Sequence, residues 1–137
     1  MQSTTRCFVY IVSMVVCLIF VMACGNRPSE AELKAGLESQ AEQYWNKRLM
    51  DFDYKATYAM EDKEGLLPFS EYKEKVKNYG QIGYLSIKAK DREIDKDKGI
   101  VYIKVDFKIH GVPKLLNQTL KDQWVYRSGE WKHQKLL

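Results

Sequence analysis

Cysteine is scarce in this chain: it occurs at Cys7, Cys17 and Cys24 and nowhere beyond. Everything after residue 24 is therefore built without disulfides, thiolate metal ligands or a cysteine nucleophile. Histidine is scarcer still. His110 and His133 are far apart in sequence, with no carboxylate cluster beside them, so no metal site is expected. The chain has no glycine-rich phosphate loop and no nucleophile elbow, and no cofactor is expected. Charge of one sign never accumulates. There are 22 Lys+Arg against 18 Asp+Glu, interleaved as in Lys55, Glu61, Asp62, Lys63 and Glu64, which reads as a solvated mixed surface. No basic stripe or nucleic-acid motif is present, so nucleic acid is not an expected partner. The mild positive charge is favourable, but weakly so, beside an anionic bilayer.

Long apolar runs are equally rare, with one exception at the start. Arg6 and the amino terminus precede an apolar run from Cys7 to Met22, broken only by Ser13. That run is long for a signal-peptide core and short for a spanning helix, which needs about 20 apolar residues. The run ends in Val21-Met22-Ala23-Cys24, which resembles the bacterial lipoprotein box. The resemblance implies a signal peptide over residues 1–23, cleavage before Cys24, a lipid on the Cys24 sulfur and a new amino group open to acylation. Gly25 rather than Asp follows the cysteine, which resembles outer-membrane lipoproteins where the host has two membranes. The expected location is thus the cell membrane or outer membrane, on the extracytoplasmic side, with the bilayer itself as a partner. An uncleaved membrane anchor and a plain secreted protein are the alternatives. Residues 24–28 form a short tether, and its four residues after the cysteine span roughly 15 Å at most. A domain over residues 29–137 would ride close to the membrane.

Helical signals come first. Ser29-Glu30-Ala31-Glu32 is a capping box, with acidic residues suited to the positive end of a helix. Leu33, Leu37, Ala41, Tyr44, Trp45, Leu49 and Phe52 recur in steps of three and four, one face of a helix. Asp51 and Asp53 predict a break. A second helix is expected from Tyr54 to about Met60, with Ala56, Ala59 and Met60 inward. Glu61–Pro68 reads as a loop. Ser70 is expected to cap a third helix, Glu71–Asn78, with Tyr72, Val76 and Tyr79 inward and a stop at Gly80.

From Gln81 the period changes to two. Ile82 and Tyr84, then Leu85, Ile87 and Ala89, predict a strand with a bulge near Gly83–Leu85. Asp95–Gly99 is a turn. Val101, Ile103, Val105, Phe107 and Ile109 alternate with polar residues, including Asp106 and His110, expected in water. Ser128-Gly129 predicts a hairpin pairing Arg127 with Glu130, Tyr126 with Trp131, Trp124 with His133, and Asp122 with Lys135.

Helices followed by an antiparallel meander define an α+β domain, with N-terminal helices packed on a curved sheet of about four strands. This pattern resembles the NTF2-like superfamily, a cystatin-like α+β cone. The residues that carry the resemblance are Trp45, the Leu49–Asp53 break, Ser70-Glu71-Tyr72 and the Trp124–Lys132 hairpin. It implies a cone whose mouth holds Asp, His and Tyr in the members that are enzymes, and dimerisation through the sheet in many. Three functions follow as expectations. The first is a non-catalytic lipoprotein that binds or assembles with another envelope protein. The second is a binder of a small apolar or lipid-like ligand, contacted by Tyr44, Tyr58, Trp124 and Tyr126. The third is an isomerase- or dehydratase-type enzyme with His133 as base and Asp122 orienting it. In the plainer reading His133 packs beside Trp124 and Asp122 pairs with Lys135.

Overall fold

The computed structural model describes residues 27–77 and 82–134. The expected signal peptide, Cys24, the start of the tether, Asn78–Gln81, Lys135 and Leu137 lie outside the described residues. No described helix is long and apolar enough to cross a membrane.

Three helices precede four strands. Helix α1 spans Glu30–Leu49, α2 Tyr54–Met60 and α3 Phe69–Val76. Strands β1 (Ile82–Asp95), β2 (Lys98–Ile109), β3 (Leu116–Arg127) and β4 (Glu130–Gln134) form one antiparallel sheet in chain order. The capping box is present in full. The Ser29 hydroxyl accepts from the Glu32 amide at 3.3 Å, and the Glu32 carboxylate accepts from the Ser29 amide at 2.8 Å. The helix buries Leu33, Leu37, Ala41, Tyr44 and Leu49 against β1, β2 and β4. It stops at Leu49 rather than running to Phe52, whose backbone turns left-handed (φ 55°) and whose ring is exposed. Asp53 then caps α2 by accepting from the Ala56 amide.

Strand β2 is central, and its Val101, Ile103 and Val105 face the helix. Helix and sheet approach closely at Gly99. A Cβ there would lie 2.6 Å from Leu37 Cδ2 and 2.9 Å from the Trp131 ring, so only glycine fits without a shift. The hairpin register matches the expectation at Trp124–His133, Tyr126–Trp131 and Arg127–Glu130.

Several expectations are corrected. Ser70 does not cap α3: the helix begins earlier, at Phe69 behind Pro68, and has no side-chain cap. In α2 the buried residue is Thr57, while Ala59 is exposed. Leu85 points outward, because it is the extra residue of the β1 bulge between Tyr84 and Ser86; a second register shift, between Ala89 and Asp91, had no signal in the alternation. Arg127 and Glu130 are backbone partners but not an ion pair. Arg127 reaches Glu64 at 2.7 Å and Asp62 at 3.2 Å, and Glu130 pairs with Lys132. Finally, Glu61 and Asp62 are buried and do not belong to the solvated surface.

Candidate functional site

Side-chain alternation on the last hairpin places three groups on the face toward α1. Asp122 and Trp124 are two residues apart on β3, and His133 stands opposite Trp124 on β4, so all three point the same way. A fourth group arrives from the segment after α2. There Glu61 forms an isolated parallel bridge with His133, and the Asp62 amide donates to the His133 carbonyl at 2.8 Å. Those backbone contacts bring the Glu61 carboxylate under the imidazole.

The result is a buried ion cluster. His133 Nδ1 lies 2.8 Å from Glu61 Oε2, and Nε2 lies 2.8 Å from Asp122 Oδ1. Each carboxylate has further donors. The indoles of Trp45 and Trp124 donate to Asp122 Oδ2 at 2.7 and 2.8 Å. The Tyr44 hydroxyl donates to Glu61 Oε1 at 2.5 Å and accepts from Arg48 at 3.2 Å. The Tyr44 ring stacks on His133 with centroids 4.2 Å apart and planes 20° apart. Tyr72 donates to Thr57 behind it.

Burial by itself would lower the basicity of His133. Hydrogen bonds to Asp122 and Glu61, together with their charge, outweigh it and raise the pKa to about 9. At neutral pH the ring is thus an imidazolium donating from both nitrogens. Burial pushes the Tyr44 hydroxyl up, out of reach of physiological titration, and raises Tyr72 in the same sense. A general base needs a lone pair directed at a substrate proton. Here both ring nitrogens are engaged by carboxylates, and every oxygen of those carboxylates already accepts a hydrogen bond. The arrangement is chemically a structural ion triad that forms a rigid polar floor.

Over this floor lies a cleft of about 480 Å³, walled by α1, α3 and β3. Trp45, Arg48, Leu66, Leu67 and Leu120 line it, and Glu61, Asp122 and His133 reach its base. A second hollow of about 470 Å³ continues toward β1 and β2, between Leu49, Tyr84, Val105 and Phe107. The two share Trp45, Arg48, Val76, Gln118 and Leu120. Together they make one trough with mostly apolar walls.

Not every residue singled out from the sequence reaches this place. Asp122, His133, Tyr44 and Trp124 do come together, although Tyr44 and Trp124 are fully buried and support the floor from beneath. Tyr58 does not: its hydroxyl donates to the Leu67 carbonyl and its ring packs on Phe69 and Tyr72. Tyr126 packs on Trp131, beyond the cleft. Asp122 is paired with His133 and two indoles. Glu61 and Arg48 are the site residues that sequence reasoning missed.

No protein-family model matches the sequence, and no curated protein does. Solved structures do. A Campylobacter jejuni protein described as an NTF2-like transpeptidase superposes with a TM-score of 0.50 at 14% identity, covering 72% of this chain and 97% of that one. The fold is NTF2-like. An Exiguobacterium sibiricum protein described as a calcium/calmodulin-dependent kinase II association domain gives a TM-score of 0.49 at 12% identity, covering 80% of this chain and 92% of that one. A SEC-C motif protein from Rhodopseudomonas palustris gives 0.49 at 18% identity, covering 68% and 70%. An NTF2-like cone hosts many functions at such distances, so function is read from the trough and its residues.

Proposed function

We propose that this protein is a lipid-anchored binding protein, held at the membrane through acylated Cys24, whose NTF2-like cone takes up a small ligand with a substantial apolar part. The observation that carries this reading is the trough. Concave, largely apolar hollows with a few convergent polar groups are what ligand sites look like, and this one has a floor of satisfied polar groups that leaves the walls to do the binding. Helix α1 starts next to the tether and ends at the trough. Its 20 residues span about 30 Å at 1.5 Å per residue. The trough would then sit at the end of the helix away from the tether. The exposed large apolar side chains lie at Met50, Phe52, Phe69, Leu85, Val112 and Leu115. Among the described residues only Leu85 of these belongs to the sheet, which gives the assembly reading less to stand on than the trough gives binding.

The neutral dye Nile red tests the trough. Saturable binding at one site per chain is expected, and Leu120→Trp, which projects an indole into the space both hollows share, abolishes it. Absence of saturable binding to the wild type would remove the proposal. The anchor has its own test. An alkyne-bearing palmitate fed to the producing cells should label the wild-type protein and not Cys24→Ser. An unlabelled wild type would leave the uncleaved anchor or the secreted form.

A further inference from the structure

We infer that the ligand carries an anionic group and that Arg48 binds it. The inference rests on the cleft-binding reading above and names the chemical class of its ligand: an organic anion, carboxylate or phosphate ester, with an apolar body.

Arg48 is half-buried near the end of α1 and walls both hollows. Its guanidinium lies over the Trp45 ring, 4.9 Å from the centroid, and one nitrogen donates to the Tyr44 hydroxyl. Its Nε is buried without a hydrogen-bond partner. Among the described residues no carboxylate forms an ion pair with it. The contrast with the other arginines of the folded domain is direct. Arg127 is matched by Glu64 and Asp62, and Arg92, which also has a bare Nε, is matched by Glu38 at 2.8 Å.

The nearby acids cannot serve Arg48, because Glu61 and Asp122 are committed to His133. Lys75 and Lys121 also stand at the cleft and have no carboxylate partner among the described residues. With His133 protonated, the cleft presents four cations to two carboxylates. A guanidinium held over an indole, with donors unspent in a partly desolvated wall, suits a bidentate anion. Its burial without a counterion is costly until one arrives. The apolar body of such a ligand would lie over Leu120 and on toward Val105 and Phe107.

The test is a matched pair of probes, octanoate and octanamide, which share a chain and differ in charge. The full chain is reconstituted in phosphatidylcholine nanodiscs, with empty nanodiscs as the blank, and titrated calorimetrically. Octanoate is expected to bind at least tenfold more tightly than octanamide. Arg48→Met keeps an apolar chain on Trp45 and should bring the two affinities together by weakening octanoate alone. Arg48→Lys should retain part of the preference. Equal wild-type affinities, or a preference that survives in Arg48→Met, would overturn the inference. The cleft reading would still stand in that case, because octanamide binding remains and is lost in Leu120→Trp. If neither probe binds the wild type, both readings fall. Should Arg48→Met fail to fold, the wild-type comparison and Arg48→Lys decide the matter.

Discussion

At pH 7, His133→Ala lowers the stability of the domain by about 3–5 kcal/mol, because it strands two buried carboxylates. Glu61 and Asp122 are 5% and 2% exposed, and both are paired to this one ring. Their remaining donors, two indoles and a phenol, are neutral. Urea denaturation reads the loss directly. A pH series separates charge from cavity. In the wild type the sign is fixed by a folded pKa of about 9 against an unfolded value of about 6.5. The contribution of the cluster is complete below about pH 6.5 and declines as pH rises through 9. The wild-type urea midpoint should therefore fall across that window, and the slope should be missing from His133→Ala. A flat wild-type profile from pH 6.5 to 9 would show that the ring is already neutral at pH 7.

Much of the scaffold around this cluster was legible because its determinants are local. The capping box at Ser29 and Glu32 involves residues three apart. The Asp53 cap reaches only to Ala56. The alternation along β2 reads directly as one buried and one wet face, and Ser128-Gly129 fixes the hairpin register that sets Trp124 opposite His133. The expectations that failed were ones where a side chain had more than one available partner. Arg127 has Glu130 across the strand yet turns to Glu64 and Asp62, which a loop more than sixty residues earlier delivers to it. Ser70 could cap, but proline at position 68 has its φ fixed and takes the extended backbone of a cap, so the helix begins two residues sooner.

The site itself was half legible. Asp122 and His133 followed from strand alternation. Glu61 did not, because its burial depends on a bridge to a residue 72 positions away, and its neighbours Asp62, Lys63 and Glu64 look like surface. Arg48 did leave a trace. Leu37, Ala41, Tyr44 and Arg48 are spaced by four, three and four, so a charge sits on the apolar stripe of α1. Such a residue is either capped by the last turn of its helix or committed to something inside. The structure puts it beside the trough, which is why the chemistry proposed for the ligand depends on it.

Trp131→Ala should cost about 3–5 kcal/mol, the range for deleting a buried indole, and so consume a large share of the 5–15 kcal/mol that holds a domain together. Trp131 is 2% exposed and joins three parts of the fold. Its indole donates to the Leu33 carbonyl at 3.0 Å, its ring meets Tyr126 at 5.2 Å between centroids, and it fills the space over Gly99 and Gly36. Loss of the ring leaves a hole that Gly99 has no side chain to fill. The first turns of α1 then lose their latch to β4, so amide exchange should quicken from Leu33 to Leu37 more than around Trp45. Trp131→Phe keeps most of the ring and gives up one hydrogen bond, a cost of about 1 kcal/mol. A Trp131→Ala domain within 1 kcal/mol of wild type would show that the sheet closes over the gap. Trp131 meets α1 at Leu33, toward the end of the helix opposite the trough and about 18 Å by helix rise from Trp45, which lines the trough. Trp131→Phe should therefore leave Nile red affinity untouched, and a fall in affinity would mean that the near end of the helix sets the shape of the far one.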